Sequence, residues 1–305
     1  MNTDNSTQNS GGLKLKPYSD RTADTQYQDR LRFILEKGEF IAETPQGTGA
    51  YTVFGALPPM VFNLENGAPL ITERKIGFWR KAIAEILAFA SGVHTFSGLK
   101  DWGCDWWQPW AQRSEEFGLV KDDLGPGSYG AAFHDFPMAH GQKFDQFAHL
   151  IEQIKKFPYV RTAFISPWIP YYIGRGGYQK AVVSPCHGWI HVRVINGKLC
   201  LNMWQRSADF PIGVPANMIQ YAALTILLAR VTGYEVGTFT HQFGDAHIYD
   251  NQVEGVKEML GREPRFLPTL TLHEGVTSFE LARARDFTLT DYHPHPPIDG
   301  IPVGI

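Results

Sequence analysis

The run SPCHGWIHVRVINGKLCLNMWQRSAD, residues 184–209, decides the fold class. Two stretches rich in Val, Ile, Leu and Trp, 189–195 and 198–205, flank Asn196-Gly197. This dipeptide is the one most typical of a two-residue hairpin turn. The run therefore predicts two antiparallel strands joined by a tight turn.

Helical and extended patterns alternate on both sides of this hairpin. Runs of Ala, Leu, Ile, Glu and Lys indicate helices, and stretches rich in Val, Thr and Phe indicate strands. The predicted helices cover 27–37, 78–90, 217–230, whose start is marked by Pro215, and 253–260; further strands lie within 47–62 and at 161–165, 181–183, 238–241 and 269–272. No internal repeat or linker divides the chain, so we predict a single α+β domain with one mixed sheet and helices packed on it.

Composition and charge exclude several classes of protein. With 28 Lys and Arg against 31 Asp and Glu, the net charge of -3 disfavours a polyanion binder. The 43% of hydrophobic residues are enough for a large core. Three cysteines without C-x-x-C spacing argue against a disulfide framework and a zinc site, and they favour the reducing cytoplasm.

The ends of the chain and its apolar stretches lead to two further expectations. Residues 1–24 are polar and lack the apolar core of a signal peptide, so we expect a flexible tail followed by a folded domain over 25–305. The longest mostly apolar stretch, 222–229, is shorter than the roughly 20 residues that a membrane span needs. A soluble protein is expected.

Cys186 lies where one strand closes and the next opens, so its side chain can project from a rigid frame into a cleft. A thiolate nucleophile needs a pKa lowered by a nearby cation, which Arg206 can supply. The alternative is a small buried residue without a chemical role. A cysteine-protease site is less favoured, because neighbouring residues on a strand point to opposite faces and His187 cannot easily act as the base for Cys186.

Three further features have both a functional and a structural interpretation. Glu85 lies in the apolar helix 78–90, where a carboxylate is either paired, with a raised pKa, or turned toward water. Four tryptophans within 102–110 form either core or a platform for planar heterocycles. The segment QRSAD, residues 205–209, provides either a phosphate-binding site formed by the arginine and the serine or an ordinary Arg–Asp ion pair at a strand end.

Six motifs in register resemble thymidylate synthase. In chain order they are Ser184-Pro-Cys186-His187, Gln205-Arg-Ser-Ala-Asp209, Gly213-Val-Pro-Ala-Asn217, Gly244-Asp-Ala-His247-Ile-Tyr249, Arg262-Glu-Pro-Arg265 and Tyr292-His-Pro-His295-Pro296. The resemblance covers about residues 25–305. Six separate motifs in one order are far beyond a chance match.

The resemblance implies a homodimer of α+β subunits, packed sheet to sheet. It implies binding of a pyrimidine 5′-monophosphate and of 5,10-methylenetetrahydrofolate as co-substrate, with no metal, membrane or nucleic-acid partner. Cys186 would attack C6 of the pyrimidine ring, and Asn217 would pair with N3–H and O4 of uracil. Glu85 and Tyr129 would serve proton transfers at O4 and C5, and Trp107 would shield the exocyclic methylene intermediate from water.

The remaining implied contacts divide between the nucleotide and the folate. The resemblance assigns the phosphate to Arg206, Ser207 and, across the dimer interface, Arg161, and the sugar 3′-hydroxyl to His247 and Tyr249. It assigns the folate side to Asp209, Trp106, Trp107, Gly213, Ala216 and Ile305. Within that set Asp209 would bind the pterin, and the Ile305 carboxylate would fix the C-terminal tail over the ligands.

Several positions depart from the family pattern. The family has phosphate-binding arginines where Pro45 and Thr162 stand, an aromatic residue at Ala216, an aliphatic residue at Trp106 and a histidine at Phe78. Two cationic side chains are therefore missing from the phosphate-binding site that the resemblance implies. Small-for-large and large-for-small changes around one pocket suggest that it is reshaped.

Three functions stay open at this point. Reductive methylation of dUMP to dTMP fits Asn217 and Trp107 best. A pyrimidine nucleotide hydroxymethylase shares the Cys186 attack but ends the reaction with water instead of hydride, and its dCMP-specific relatives carry aspartate where Asn217 stands. The third is a non-catalytic nucleotide-binding or RNA-interacting homologue, which the intact catalytic set and the charge of -3 disfavour.

Overall fold

The computed structural model of the protein describes residues 12–174 and 178–303. The α-helices in these ranges are α1 (Gln26–Lys37), α2 (Trp79–Ala90), α3 (Phe96–Trp102), α4 (Gln108–Ala111), α5 (Tyr129–His134), α6 (Gln146–Lys156), α7 (Gly213–Thr232) and α8 (Val253–Leu260). The strands are β1 (Glu39–Ile41), β2 (Ala50–Phe54), β3 (Met60–Asn63), β4 (Phe136–Pro137), β5 (Lys143–Phe144), β6 (Phe164–Ile165), β7 (Trp189–Ile195), β8 (Lys198–Asp209), β9 (Glu235–Tyr249), β10 (Thr269–Leu272) and β11 (Phe287–Thr290).

The central sheet has seven strands in the order β1-β2-β9-β8-β7-β6, with β3 also paired to β9. All neighbours are antiparallel except β8 and β9, which run parallel, so the fold is the α+β type with the mixed sheet that the sequence predicts. The register of β8 and β9 aligns Ser207 with Asp245 and Asp209 with His247. The two longest strands therefore bring polar side chains to the same end of the sheet.

The predicted hairpin is formed by β7 and β8, with Asn196-Gly197 at its turn. Both turn residues lie in the left-handed region, with φ of 51° at Asn196 and 77° at Gly197. A two-residue turn of this kind matches the right-handed twist of the strands that it joins. Cys186 lies shortly before β7 and Arg206 lies within β8, so the hairpin brings the two side chains to neighbouring positions.

The helix α7 forms the centre of the core. It packs on β8 and β9 and against α2. It is long and apolar enough to cross a membrane by length and composition alone, but 89% of its most apolar 18 residues are buried inside the fold, as in a core helix. Asn217 and Gln220 are buried among its apolar side chains, so each needs an internal hydrogen-bond partner.

The sequence predicts the type of most elements better than their ends. The elements α2, α8, β7 and β10 begin and end within one residue of the prediction. The strand predicted at 161–165 is confirmed only over Phe164–Ile165, which pairs with β7. The strand predicted at 181–183 is wrong, because these residues form no strand. The helix α7 begins at Gly213, so Pro215 lies in its first turn, where the N–H groups lack intrahelical acceptors and a proline is tolerated.

Packed contacts begin before residue 25, where the sequence analysis starts the folded domain. Arg21 is buried, and its guanidinium donates to the carbonyl of Leu267 at 2.8 Å and to the hydroxyl of Thr269 at 2.7 Å. Arg21 thereby ties the N-terminal segment to β10. The segment 12–24 is part of the folded unit, while residues 1–11 lie outside the described residues.

Candidate active site

Cys186 lies in a loop that is held from two sides. The carbonyl of Cys186 accepts the backbone N–H of Arg206 at 2.7 Å, which ties the loop to β8. On the other side, the backbone N–H of Cys186 donates to the hydroxyl of Tyr129, in α5, at 2.6 Å, and the N–H of His187 donates to the same hydroxyl at 3.3 Å. The backbone that carries the thiol is therefore fixed without a regular strand.

The thiol of Cys186 lies 3.5 Å from Nη2 of Arg206, as expected for a cation that stabilises a thiolate. The guanidinium is held in place by the carbonyls of Pro185 at 3.1 Å and Ser184 at 3.4 Å. Burial nevertheless raises the pKa of the Cys186 thiol, and Arg206 only partly opposes this effect. The net direction differs from the lowered pKa expected from the sequence, because burial destabilises a charged sulfur more than one cation stabilises it.

His187 points away from this thiol. Its Nδ1 lies 2.7 Å from the hydroxyl of Tyr221 in α7, and its ring stacks on Tyr129 with centroids 4.6 Å apart. Burial lowers the pKa of His187 to about 3, so the imidazole is neutral at neutral pH. The expectation that His187 is not the base for Cys186 agrees with this orientation.

Glu85 is buried in α2 and surrounded by N–H donors. Its Oε1 accepts from Nε1 of Trp106 at 2.6 Å and also from Nε1 of Trp107, while its Oε2 accepts from Nε2 of Gln220. Burial raises the pKa of Glu85, and these three hydrogen bonds act in the opposite direction. The alternative in which Glu85 faces water is wrong, and the two indoles contact a carboxylate through their N–H groups.

Asn217 lies one helical turn before Gln220 on α7, and the two amides are bonded to each other. Nδ2 of Asn217 donates to Oε1 of Gln220 at 2.8 Å, and Gln220 in turn donates to Glu85. The three side chains form one chain of hydrogen bonds that ends on a carboxylate. Because an ionised carboxylate only accepts, the direction of every bond in this chain is fixed.

Asp209 ends β8 beside His247 of β9. Its carboxylate accepts from Nε2 of Gln252 at 3.1 Å and from the N–H of Ile212 at 3.3 Å. The rings of His247 and Tyr249 lie 5.0 Å apart on β9, and both residues are buried. The end of the sheet thus carries a carboxylate, an imidazole and a phenol close together.

A comparison with known protein families identifies what these residues belong to. The family described as Thymidylate synthase matches residues 25–303, nearly the whole chain. The chain belongs to the thymidylate synthase family. Members of this family transfer a one-carbon unit to a pyrimidine nucleotide and use methylenetetrahydrofolate as co-substrate. The resemblance drawn from the motifs is confirmed.

The other positions assigned from the thymidylate synthase resemblance fall into three groups. Gly213 lies between Asp209 and Asn217, since a Cβ built on it would stand 3.8 Å from Asp209 Cβ and 4.0 Å from Asn217 Oδ1. Ala216 lies in the first turn of α7, and Ser207 precedes Asp209 by two residues on β8. The remaining two lie apart: Arg161 is exposed on a segment before β6, and Ile305 lies outside the described residues.

Two glutamines that bond to these candidate site residues were not predicted from the sequence. Gln220 has a local signal, because it is a lone amide three residues after Asn217 in an otherwise apolar helix and therefore shares its face. Gln252 has no such signal, because Asp209 and Pro302, to which its amide donates, come from distant segments. In the parts of the chain that the structure describes, no three His, Cys, Asp or Glu side chains are grouped to hold a metal ion.

Proposed function

We propose that the protein catalyses reductive methylation of dUMP to dTMP with methylenetetrahydrofolate. The thiolate of Cys186 adds to C6, and C5 then attacks the one-carbon unit of the folate. Loss of the C5 proton releases tetrahydrofolate from the carbon unit, hydride from the tetrahydropterin completes the methyl group, and the Sγ–C6 bond breaks. Dihydrofolate is the second product, so the electrons balance without another reductant.

The hydrogen-bond chain from Asn217 through Gln220 to Glu85 supports selectivity for uracil over cytosine. One N–H of the Asn217 amide is used by Gln220, which leaves Oδ1 and a second N–H for a ligand. This combination pairs with the N3–H donor and the O4 acceptor of uracil. Cytosine presents an acceptor at N3 and a donor at its amino group, so it would need the Asn217 amide to be flipped by about 180°.

Flipping the Asn217 amide costs free energy while Glu85 is ionised. The flipped amide would place Oδ1 against Oε1 of Gln220. Flipping the Gln220 amide as well would place its oxygen against the Glu85 carboxylate. Unpaired or opposed buried acceptors cost about 1–3 kcal/mol each. Uracil is therefore favoured over cytosine by roughly tenfold or more.

Product analysis tests the proposed reaction directly. We expect incubation with dUMP and methylenetetrahydrofolate to give dihydrofolate absorbance and a product heavier by one methylene group, with much slower turnover of dCMP. Tetrahydrofolate together with a hydroxymethylated nucleotide would instead identify the hydroxymethylase. A parallel reaction with UMP shows whether the protein accepts ribose as well as deoxyribose.

The variant Cys186→Ser separates an enzyme from a nucleotide-binding homologue. We expect it to lose turnover by orders of magnitude and to keep nucleotide binding, because a serine hydroxyl is a far weaker nucleophile than a thiolate. Equilibrium binding of dUMP to the variant and the wild type provides the second measurement. Absent turnover in the wild type under all substrate combinations would favour the non-catalytic homologue.

We also propose the homodimer packed sheet to sheet. Val61, Phe164 and Trp204 lie on the outer face of the sheet with 49%, 51% and 36% of their surface exposed. On the same face, within the described residues, the buried Nε of Arg193 and Oδ1 of Asn202 have no hydrogen-bond partner. Exposed apolar groups next to unsatisfied polar groups suit a protein interface.

A further inference from the structure

Gln252 connects three segments that are distant in sequence. It is fully buried at the end of the short turn after β9. Its Nε2 donates to the Asp209 carboxylate, at 3.1 Å to Oδ1 and 3.3 Å to Oδ2, and to the carbonyl of Pro302 at 2.9 Å. Its Oε1 accepts the backbone N–H of Tyr249 at 3.0 Å. One amide thereby binds the end of β8, the end of β9 and the C-terminal segment.

The orientation of this amide is fixed by the groups around it. The N–H of Tyr249 requires an oxygen, whereas the Asp209 carboxylate and the Pro302 carbonyl both require a donor. The alternative amide orientation would oppose two acceptors and leave one donor facing another. Gln252 therefore donates to Asp209 and to Pro302 from the same amide nitrogen in one orientation.

The packing of the C-terminal segment gives an independent observation. Ile301 lies against Gly255 of α8, where a Cβ would come within 2.6 Å of the isoleucine side chain. Next to this contact, an open cavity of about 480 Å³ separates the segment from α8, lined by Asn251, Glu254 and Ile298 among others. The segment is thus packed only in part, and hydrogen bonds such as that of Gln252 contribute to its position.

We propose that Gln252 is a positioning residue for the folate side of the site, which couples the Asp209 carboxylate to the C-terminal segment at Pro302. This inference rests on the proposed function, in which Asp209 contacts the pterin. Movement of the C-terminal segment changes the orientation of the Asp209 carboxylate. Conversely, a ligand bound to Asp209 stabilises the segment. Gln252 itself touches neither the nucleotide nor the reacting atoms.

Two substitutions of similar size remove the coupling in different ways. Gln252→Glu keeps an acceptor for Tyr249 but places a second carboxylate oxygen against Asp209 and Pro302. Gln252→Met removes the polar atoms altogether. The control is Gln28→Met, because Gln28 is also a buried amide that donates to two carbonyls, those of Met259 and Arg262, at the C-terminal end of α8.

We expect both Gln252 variants to show amide hydrogen exchange in residues 298–303 that is about tenfold or more faster than in the wild type. We also expect the KM for methylenetetrahydrofolate to rise by about tenfold and the KM for the nucleotide to stay within about twofold. Gln28→Met should be less stable but should match the wild type in both measurements. The exchange measurement needs no turnover and therefore tests Gln252 separately from the reaction.

Two results would overturn this role. Unchanged exchange in residues 298–303 in both Gln252 variants would show that packing alone holds the segment. Equal increases in the KM for nucleotide and folate would show a general loss of structure instead of a defect on the folate side. Faster exchange in the Gln252 variants, together with a wild type that turns over no pyrimidine nucleotide, would contradict the proposed function while leaving the coupling in place.

Discussion

At the scale of single residues, the two buried acidic groups of this site, Glu85 and Cys186, have different kinds of partner. The partners that stabilise the Glu85 carboxylate are neutral: the indoles of Trp106 and Trp107 and the amide of Gln220. The Cys186 thiol differs, because it has the Arg206 guanidinium at 3.5 Å and still has a pKa raised by burial. Both groups can therefore change protonation when a ligand changes their surroundings.

The variant Trp106→Phe tests how the indole acts on Glu85. Loss of one donor destabilises the ionised carboxylate, so the pKa of Glu85 should rise further. The pH dependence of kcat measures this rise as a shift of the Glu85-dependent limb toward higher pH. Trp110→Phe is the control, since Trp110 packs on Trp107 at a centroid distance of 5.4 Å and should leave the limb in place. A shift of similar size in both variants would show that packing, and not the donor, controls the pKa.

At the scale of elements, the sequence predicts what depends on local pattern and fails where distant partners decide. The helix α8 and the strand β10 were predicted with their ends because their periodicity and flanking residues suffice. The strand β9 extends from Glu235 to Tyr249, far beyond the predicted 238–241, because pairing with β8, β2 and β3 stabilises residues of weak strand propensity. Residues 181–183 have the propensity without a partner strand.

The candidate site shows the same division. Cys186, Arg206 and Asn217 could be found from the sequence because their motifs are contiguous. The hydrogen bonds to Glu85 could not, because their donors come from α7 and from the segment between α3 and α4. Gln252 contacts Asp209 over 43 residues and Pro302 over 50 residues of sequence, so only the folded chain reveals it.

Gln220 joins α7 to α2, and Gln220→Met tests this connection. Glu85 and Asn217 would each lose a partner, so we expect the free energy of unfolding to fall by about 1–3 kcal/mol. The ratio of kcat/KM for dUMP to kcat/KM for dCMP should also fall by about tenfold, because the Asn217 amide becomes free to flip. Chemical denaturation and the two kinetic constants measure these effects.

Thr225→Val is the matched control for Gln220→Met. Thr225 is also buried in α7, but its hydroxyl donates to the carbonyl of Tyr221 in the same helix at 2.6 Å. This variant should lose little stability and keep the preference for dUMP. An unchanged preference in Gln220→Met would mean that Asn217 is oriented by other contacts.

At the scale of the whole molecule, Arg161 gives the proposed dimer a functional test. Arg161→Ala and Cys186→Ser should each be inactive alone if the phosphate is held across the interface. Dissociating and reassociating the two variants in equal amounts makes about half of the dimers mixed, each with one intact site, which restores about one quarter of wild-type activity. Persisting inactivity of the mixture, with subunit exchange verified by mass, would place Arg161 and Cys186 in the same subunit's site.

The pH dependence of stability combines buried groups with opposite effects. Burial lowers the pKa of His187 to about 3 and that of His241 well below its usual value, so their contribution to stability is present above pH 6.5 and is lost as the pH falls. Burial, with a smaller contribution from Asp24, raises the pKa of Glu73 to about 7. Its contribution is present below about pH 4.5 and is lost as the pH rises through 7. Between pH 4.5 and 6.5 the two effects oppose each other.

Glu73→Gln isolates the carboxylate in this balance. A glutamine oxygen can still accept the N–H of Thr72, which Glu73 Oε2 accepts at 2.8 Å, but it never has to ionise in the interior. The variant should gain up to about 3 kcal/mol in the free energy of unfolding relative to the wild type at pH 8, and almost nothing at pH 4.5. Urea denaturation at the two pH values measures the difference. A gain of equal size at both pH values would mean that the carboxyl of Glu73 does not titrate between them.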